Sequence, residues 1–212
     1  MKKFHKGIFV VFLGRDGVGK TSLIKATSGL IAPYYGKLRC YYLTTNTLLP
    51  ARTGEDYTRP HHKPVRGSFL SFIKLVAFCL EYVAGYYLKV LPALQKNHAV
   101  LFDRYYYDLL ADNKRYRHGL NPFWTKLFMR IIPKPDLIFI IDAPTQTVIR
   151  RKQEFSVDEH ELLRGNYLDL ENLLPNSFVI VNDGLKETAA HQIAQKILDG
   201  VKINTRQAEA VI

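Results

Sequence analysis

The chain reads as an α/β protein built on a doubly wound, five-stranded parallel sheet with helices on both faces and a small basic lid. Three observations predict this. Five short apolar runs (8–13, 38–43, 99–102, 137–141 and 178–181) alternate with stretches of helical periodicity. The runs are continuously apolar rather than alternating, as strands covered on both faces must be. A glycine-rich segment joins the first run directly to the first helical stretch.

Taken in order, Ile8 to Leu13 is a β-branched and aromatic run. Met1-Lys2-Lys3 before it gives the start a superficial likeness to a secretory signal. Its apolar core is short and enters the glycine segment without a small-residue cleavage site, so it is the first strand. A helix is expected near 19–30 and the second strand at 38–43. Residues 44–68 form a long polar loop carrying Arg52, Arg59, His61, His62, Lys63 and Arg66; a mobile functional loop and a disordered one are both open readings. The helical stretch 69–94 is apolar enough over 69–91 to raise a transmembrane question. Lys74, Glu81 and Lys89 fall within an arc of about 80° at 100° per residue, which describes a core helix with one wet edge and no membrane span. A monotopic membrane contact stays open. The third strand is 99–102. A helix near 122–131 holds the lone Trp124 beside Phe123 and Phe128, a core or interface cluster. Pro133 and Pro135 precede the fourth strand and Pro175-Asn176 the fifth, with helices expected at 144–152, 158–174 and 186–199. The expected organisation is one domain over 1–200, with a lid at about 150–165, a mobile loop at about 44–68 and a C-terminal tail at 201–212.

At 212 residues and 47% hydrophobic content, the chain can bury one large core with a small lid. There is no internal repeat or low-complexity segment. Cys40 and Cys79 are far apart and lack metal-ligand spacing, so a reducing cytoplasm is the default. A net charge of +11 and a pI near 9.6 favour anionic partners without choosing among nucleotides, nucleic acid and an acidic membrane face.

The chemistry begins at Gly14-Arg15-Asp16-Gly17-Val18-Gly19-Lys20-Thr21, a complete G-x-x-x-x-G-K-[ST] pattern between a strand and a helix. In that setting the backbone from Gly14 through Ser22 is expected to cradle the phosphates of a nucleoside triphosphate. Lys20 reaches the β- and γ-phosphates, and the Thr21 hydroxyl holds Mg²⁺. The third strand ends in Asp103-Arg104-Tyr105-Tyr106-Tyr107-Asp108. Asp103 is placed for Mg²⁺ or for an acceptor hydroxyl, and Arg104 offers a bidentate fork. Alone, the pair would read equally as a helix-capping ion pair; beside a phosphate loop the functional reading prevails. After the fourth strand, Asp142-Ala143-Pro144 leads to Arg150-Arg151-Lys152, cations expected to close over the triphosphate, with Arg151 the expected single contact. The plainer reading is a basic helix end favourable to its dipole. Lys114, Arg115, Arg117 and His118 read either as a holder for an anionic acceptor or as a solvated turn. Asn182-Asp183-Gly184 is placed at the border of the adenine and is also a turn signal.

Together these residues resemble the thymidylate kinase-like branch of the P-loop nucleoside and nucleotide kinases over most of residues 7–185. The matching features are the acidic Asp16 within the loop, Asp103-Arg104-Tyr105, Asp142-Ala143-Pro144 with its arginines, and Arg164-Gly165-Asn166-Tyr167-Leu168. The resemblance implies transfer of the γ-phosphoryl of ATP to a small, anionic acceptor with Mg²⁺ and a closing lid, in a homodimer joined by helices. The expected catalytic set is Lys20, Asp103, Arg104 and Arg151. Asp16, Arg104, Tyr105, Asp108 and Arg115 are expected at the acceptor, and Gly14 to Ser22, Arg150 and Asn182 at the nucleotide.

The departures fall on the acceptor side. The family's Arg-Glu-Pro-Gly-Gly segment is Thr44-Thr45-Asn46-Thr47-Leu48-Leu49-Pro50 here. Its arginine on the long helix has no counterpart among Lys74, Glu81 and Lys89. Its Ser-x-x-Ala-Tyr-Gln is replaced by Asp108-Leu109-Leu110-Ala111-Asp112. The leading reading is therefore a kinase for a nucleoside monophosphate or nucleoside, with a sugar-like or other anionic metabolite as the alternative acceptor. A P-loop ATPase on nucleic acid gains little support: no second ATPase signature and no aromatic–basic interleaving stand out. A guanine reader Asn-Lys-x-Asp is absent, the nearest fragment being Asn113-Lys114-Arg115-Tyr116.

Overall fold

All five strands pair in parallel in the order β2-β3-β1-β4-β5. They are β1 (Ile8–Leu13), β2 (Leu38–Tyr42), β3 (Ala99–Asp103), β4 (Leu137–Asp142) and β5 (Ser177–Val181). The structure is a computed structural model and describes residues 5–50, 64–151, 155–184 and 186–209, the last nine of these as backbone alone. Every expected strand is present within one residue of its expected bounds.

The alternation of β1 splits the core into two layers. Phe9, Val11 and Leu13 face a cluster with Leu75, Phe78, Phe102 and Tyr105, while Ile8, Val10 and Phe12 face one with Leu23, Ile31, Ala190 and Ile193. Both faces of the central strand are fully buried, which explains its unbroken apolar sequence. The first face is covered by α2 (Ser68–Gly85), which continues through a π turn (Tyr86–Val90) into α3 (Leu91–Gln95). The second is covered by α1 (Lys20–Ile31) and α9 (Lys186–Glu209). α9 runs on through residues 201–209, where the sequence suggested a tail. The helix expected over 158–174 is broken at Asp169 into α7 (Val157–Leu168) and α8 (Leu170–Leu173).

By length and composition the helical stretch Ser68–Gln95 could cross a membrane, at a mean hydropathy of 1.6. Leu75, Phe78, Cys79 and Tyr82 are buried against the sheet instead. The expected wet edge is not there. Glu81 is fully buried, accepting from the backbone N–H groups of Thr47, Leu48 and Leu49 and from the Thr45 hydroxyl. Lys89 donates to the Thr45 and Asn46 carbonyls, and Lys74 to the Tyr116 carbonyl. The polar stripe is a clasp for two neighbouring loops. Residues 44–50 are thus shaped by α2, whereas Arg52, Arg59, His61, His62 and Lys63 lie outside the described residues.

The remaining helices are α4 (Asp108–Ala111), α5 (Pro122–Phe128) and α6 (Thr145–Arg151). Parallel strands send their carboxyl ends, and the loops after β1, β3, β4 and β5, to one edge of the sheet.

Candidate active site

The loop after β1 meets that edge with a backbone only glycine tolerates. Gly14 has φ +141°, and a Cβ on it would stand 2.4 Å from the Ile141 carbonyl oxygen, so the loop packs against β4 itself. Gly19 has φ +92°, with 2.5 Å from such a Cβ to Asn182 Nδ2. Asn182 donates Nδ2 to the Val18 carbonyl at 2.7 Å, so its observed work is to brace the loop. Lys20 opens α1, and its ammonium donates to the carbonyls of Gly14 and Arg15, both at 2.8 Å. Burial, reinforced by Arg104, pushes the Lys20 amine down to about 8 against the opposing pull of Asp103, Asp16 and Asp108. Thr21 donates its hydroxyl to Asp103 Oδ2 at 2.7 Å. The other oxygen, Oδ1, is buried without a hydrogen-bond partner.

Those last facts test the fit of a divalent cation. A hydroxyl in the first turn of α1 and a carboxylate at the end of β3 sit together, one carboxylate oxygen lacks a partner, and the phosphate loop adjoins them. Mg²⁺ commonly takes one or two such protein oxygens and completes its shell with phosphate and water. The residues fit. Among the described residues there is no cluster of three acidic, His or Cys groups, so a dedicated protein cage is not what they form.

Arg104 follows Asp103 in a left-handed conformation, φ +72°, a strain of about 1–3 kcal/mol for a non-glycine residue. The surroundings hold it there. Its N–H donates to Phe12 O at 2.9 Å, and its guanidinium reaches Asp108, Asp16 (2.5 Å) and the Tyr167 hydroxyl (3.0 Å). Burial works against the charge, but Asp108, Tyr167 and Asp16 hold the Arg104 pKa well above its ordinary value. Arg115 grips the other oxygen of Asp16 at 2.5 Å and donates to the Tyr42 hydroxyl at 3.0 Å. Tyr42, Asp16, Arg104 and Arg115 form one end of a cleft of about 610 Å³, and Lys20, Thr21, Ser22 and Arg151 line it too.

Four expected contacts lie elsewhere. Tyr105 is buried, its ring against Phe9 and Tyr82 and its hydroxyl on the Pro133 carbonyl, because the turn after Arg104 sends it into the core. Asp108 is fully buried beneath Arg104, also accepting from the Tyr116 hydroxyl. Arg15 turns its side chain away from the cleft, donating to Thr145, the carbonyls of Ala143 and His160, and Asp142. Arg150 is exposed and does not line the cleft, since successive helical residues point about 100° apart. Arg151, next to it, reaches the Gly17 carbonyl at 3.2 Å. Lys152 lies outside the described residues. The basic cluster divides likewise: Arg115 reaches the cleft, Arg117 donates to the Pro64 carbonyl, and His118 bonds Thr125. Sequence reasoning missed Tyr42 and Lys186 as cleft residues and Glu81 as the loop organiser; a carboxylate alone on an apolar helix was the signal for the last.

The sheet order, the glycine loop between β1 and α1, and the pairing of Thr21 at the start of α1 with Asp103 at the end of β3 define a P-loop NTPase fold. The comparisons carry this to a particular group: the chain is similar over most of its length to thymidylate kinases. A probable thymidylate kinase of Pyrococcus horikoshii is 27% identical over 186 residues, spanning 82% of this chain and 88% of that protein. A thymidylate kinase of Bacillus mycoides is 27% identical over 192 residues, 84% and 89% of the two chains. The crystal structure of the thymidylate kinase of Ehrlichia chaffeensis superposes with a TM-score of 0.61 at 20% identity, covering 91% of this chain and 98% of that one, a match of fold. No family model matches the chain.

Proposed function

We propose that this chain is an ATP-dependent kinase of the thymidylate kinase type, moving the γ-phosphoryl group to a nucleoside monophosphate or nucleoside. One observation carries the reading. A phosphate loop whose lysine and threonine stand beside a strand-end carboxylate opens into the same cleft as a guanidinium pair built around Asp16. The first half suits a triphosphate and the second an anionic acceptor.

In this reading Lys20 and Arg151 neutralise charge on the transferring group, and Thr21 and Asp103 hold Mg²⁺, which when bound neutralises phosphate oxygens. The backbone of residues 14–22 cradles the nucleotide. Arg104 and Arg115 fix Asp16 and face the acceptor, while Asp108 and Tyr167 act through Arg104 as positioning residues. Holding the two reactants in one cleft is the main requirement, since in-line transfer asks for positioning and charge neutralisation. Cys40 and Cys79 are both free thiols, in keeping with a reducing cytoplasmic setting. A homodimer through α2 and the π turn that continues it, where Leu80, Tyr87 and Leu88 stay exposed, belongs to the same reading.

The test is ADP release from Mg²⁺-ATP with thymidylate, other nucleoside monophosphates, nucleosides and anionic sugars offered singly. Turnover with nucleoside monophosphates or nucleosides is expected. Turnover with anionic sugars alone would move the acceptor to the metabolite class, and no uptake of Mg²⁺-ATP by folded protein would end the kinase reading.

A further inference from the structure

Arg115 reaches the cleft from a 3₁₀ turn (Lys114–Tyr116), a single short coil whose own hydrogen bonds are of poor geometry. The turn ends at Arg117 in a left-handed conformation, φ +52°. Such a turn does not fix a long side chain by itself, so its supports decide where the guanidinium stands. Arg115 and Tyr116 leave it in different directions. Arg115 runs to Asp16 and Tyr42, while Tyr116 runs into the core and lies edge-on to Phe78.

Tyr116 is pinned at both ends. Its carbonyl accepts from the Lys74 ammonium of α2, and its hydroxyl donates to Asp108 Oδ2 at 2.9 Å. Its ring between them is 1% exposed. The flanks of the turn are held as well: Arg115 N–H donates to Asp112 Oδ1, Gly119 N–H to the Ser71 hydroxyl, and Arg117 to the Pro64 carbonyl. Lys74 is the one charged side chain of α2 on this turn, and its stem packs so that the ammonium lies 5.4 Å from the centre of the Phe78 ring. A hydrogen bond from an ammonium is roughly twice as strong as a neutral one. Losing it loosens the residue adjacent to Arg115, and a displacement of about 1 Å at a group that positions a reactant can cost on the order of 10²-fold.

We propose that Lys74 is a positioning residue for the acceptor: it touches neither substrate and acts through the Tyr116 carbonyl to fix Arg115 in the cleft. This role rests on the reading of the chain as a kinase whose Arg115 faces the acceptor. It gives the lysine on the long helix a definite task, holding the turn that presents the guanidinium.

Three variants of the full chain test it. Lys74→Met keeps the stem and removes the donor, Lys74→Arg keeps a donor, and Tyr116→Phe deletes only the hydroxyl at the other pin. Kinetics are measured with Mg²⁺-ATP and each acceptor that the wild-type chain turns over among nucleoside monophosphates, nucleosides and anionic sugars. Lys74→Met should raise the acceptor KM roughly 5- to 30-fold, the range for residues acting through a contact network, with KM for ATP nearly unchanged. Lys74→Arg should recover most of the loss, and Tyr116→Phe should shift the same constant in the same direction. In an Arg115→Gln background Lys74→Met should add less than about threefold, because the group it positions is gone. Amide exchange over residues 112–118, read by mass spectrometry without substrates, should quicken in Lys74→Met while that of residues 14–22 is unchanged.

An unaltered acceptor KM in Lys74→Met, an equal rise in both KM values, or a full effect on top of Arg115→Gln would overturn the positioning role and leave the kinase reading standing. Unaltered exchange over 112–118 would overturn it too. No wild-type turnover with any acceptor would instead remove the kinase reading, and this role with it.

Discussion

Replacing Lys20 by Met separates what the lysine costs the fold from what it gives to catalysis. Lys20 is 6% exposed, and burial lowers its amine from 10.5 to about 8. That drop corresponds to roughly 3 kcal/mol against the protonated side chain in the folded state. The folded value lies below the unfolded one, so the penalty is fully present below pH 8 and is relieved as pH rises from about 8 to 10.5. Met keeps the unbranched stem and removes the charge. It also leaves the Gly14 and Arg15 carbonyls without the ammonium donor, a loss of about 1–2 kcal/mol. The net expectation at pH 7 is a gain of about 1–2 kcal/mol, or a Tm higher by roughly 3–6 °C for a chain of this size. Turnover should fall by about 10³ or more, because a preorganised cation at the transferring group is gone. In the wild-type protein kcat/KM for ATP should decline as pH passes about 8 and Lys20 deprotonates, and Lys20→Met should lack that limb. Thermal scanning and ADP release measured across pH on both proteins check this together. A Lys20→Met protein that unfolds several degrees earlier, or turns over at the wild-type rate, would refute the reasoning.

Arg115→Gln should raise KM for the acceptor roughly 10- to 100-fold, the worth of a charge-assisted hydrogen bond, with KM for ATP nearly unchanged; steady-state kinetics varying each substrate would show it. Glu81→Gln sets an amide against the N–H groups of Thr47, Leu48 and Leu49 and should cost about 1–3 kcal/mol in urea unfolding. Burial tends to raise the Glu81 carboxyl, but those N–H groups and the Thr45 hydroxyl prevail and hold it below its ordinary value. Its contribution is therefore present above pH 4.5 and lost as pH falls through the lower folded value, so Glu81→Gln should flatten the acid limb of stability below about 4.5.

The strands were legible because a two-sided sheet writes itself as uninterrupted apolar runs, and each stands where its run predicts. The phosphate loop was legible because its chemistry is local: eight consecutive residues carry backbone, charge and hydroxyl together. At the other end of the cleft Asp16, Arg104 and Arg115 were expected and line it, but their pairing with one another and with Tyr42 was not legible, because it is assembled across distances the sequence does not mark. Arg115 meets Asp16 over 99 positions and Tyr42 over 73. Tyr105 shows the converse. It follows Asp103-Arg104 in the chain, yet the left-handed turn at Arg104 separates it from the site its neighbours form. Glu81 looked like a solvent contact because periodicity reports which side of a helix a residue occupies and not what covers that side.

Arg15 and Asp16 are adjacent, yet they work in opposite directions. Arg15 runs to Asp142, which also takes Arg164 of α7 through a bidentate pair at 2.7–3.1 Å, so the loop is tied to α7. Asp16 runs to Arg104 and Arg115, so the same loop is tied to the guanidinium pair at the other end of the cleft. Between them, the backbone that would hold ATP cannot shift without disturbing ion pairs on both sides. Arg15 and Asp142 are buried, and a lone partner left there would be an uncompensated charge, which makes such a displacement expensive. The loop after β1 is thus tied through ion pairs to Asp142 at the end of β4 on one side and to Arg104 and Arg115 on the other. Tyr167 and Arg164 extend that logic, since one helix supplies both the hydroxyl on Arg104 and the guanidinium on Asp142. A closing α7 would therefore tighten both ends of the cleft at once, which is the geometric condition for holding two substrates in line while water is kept out.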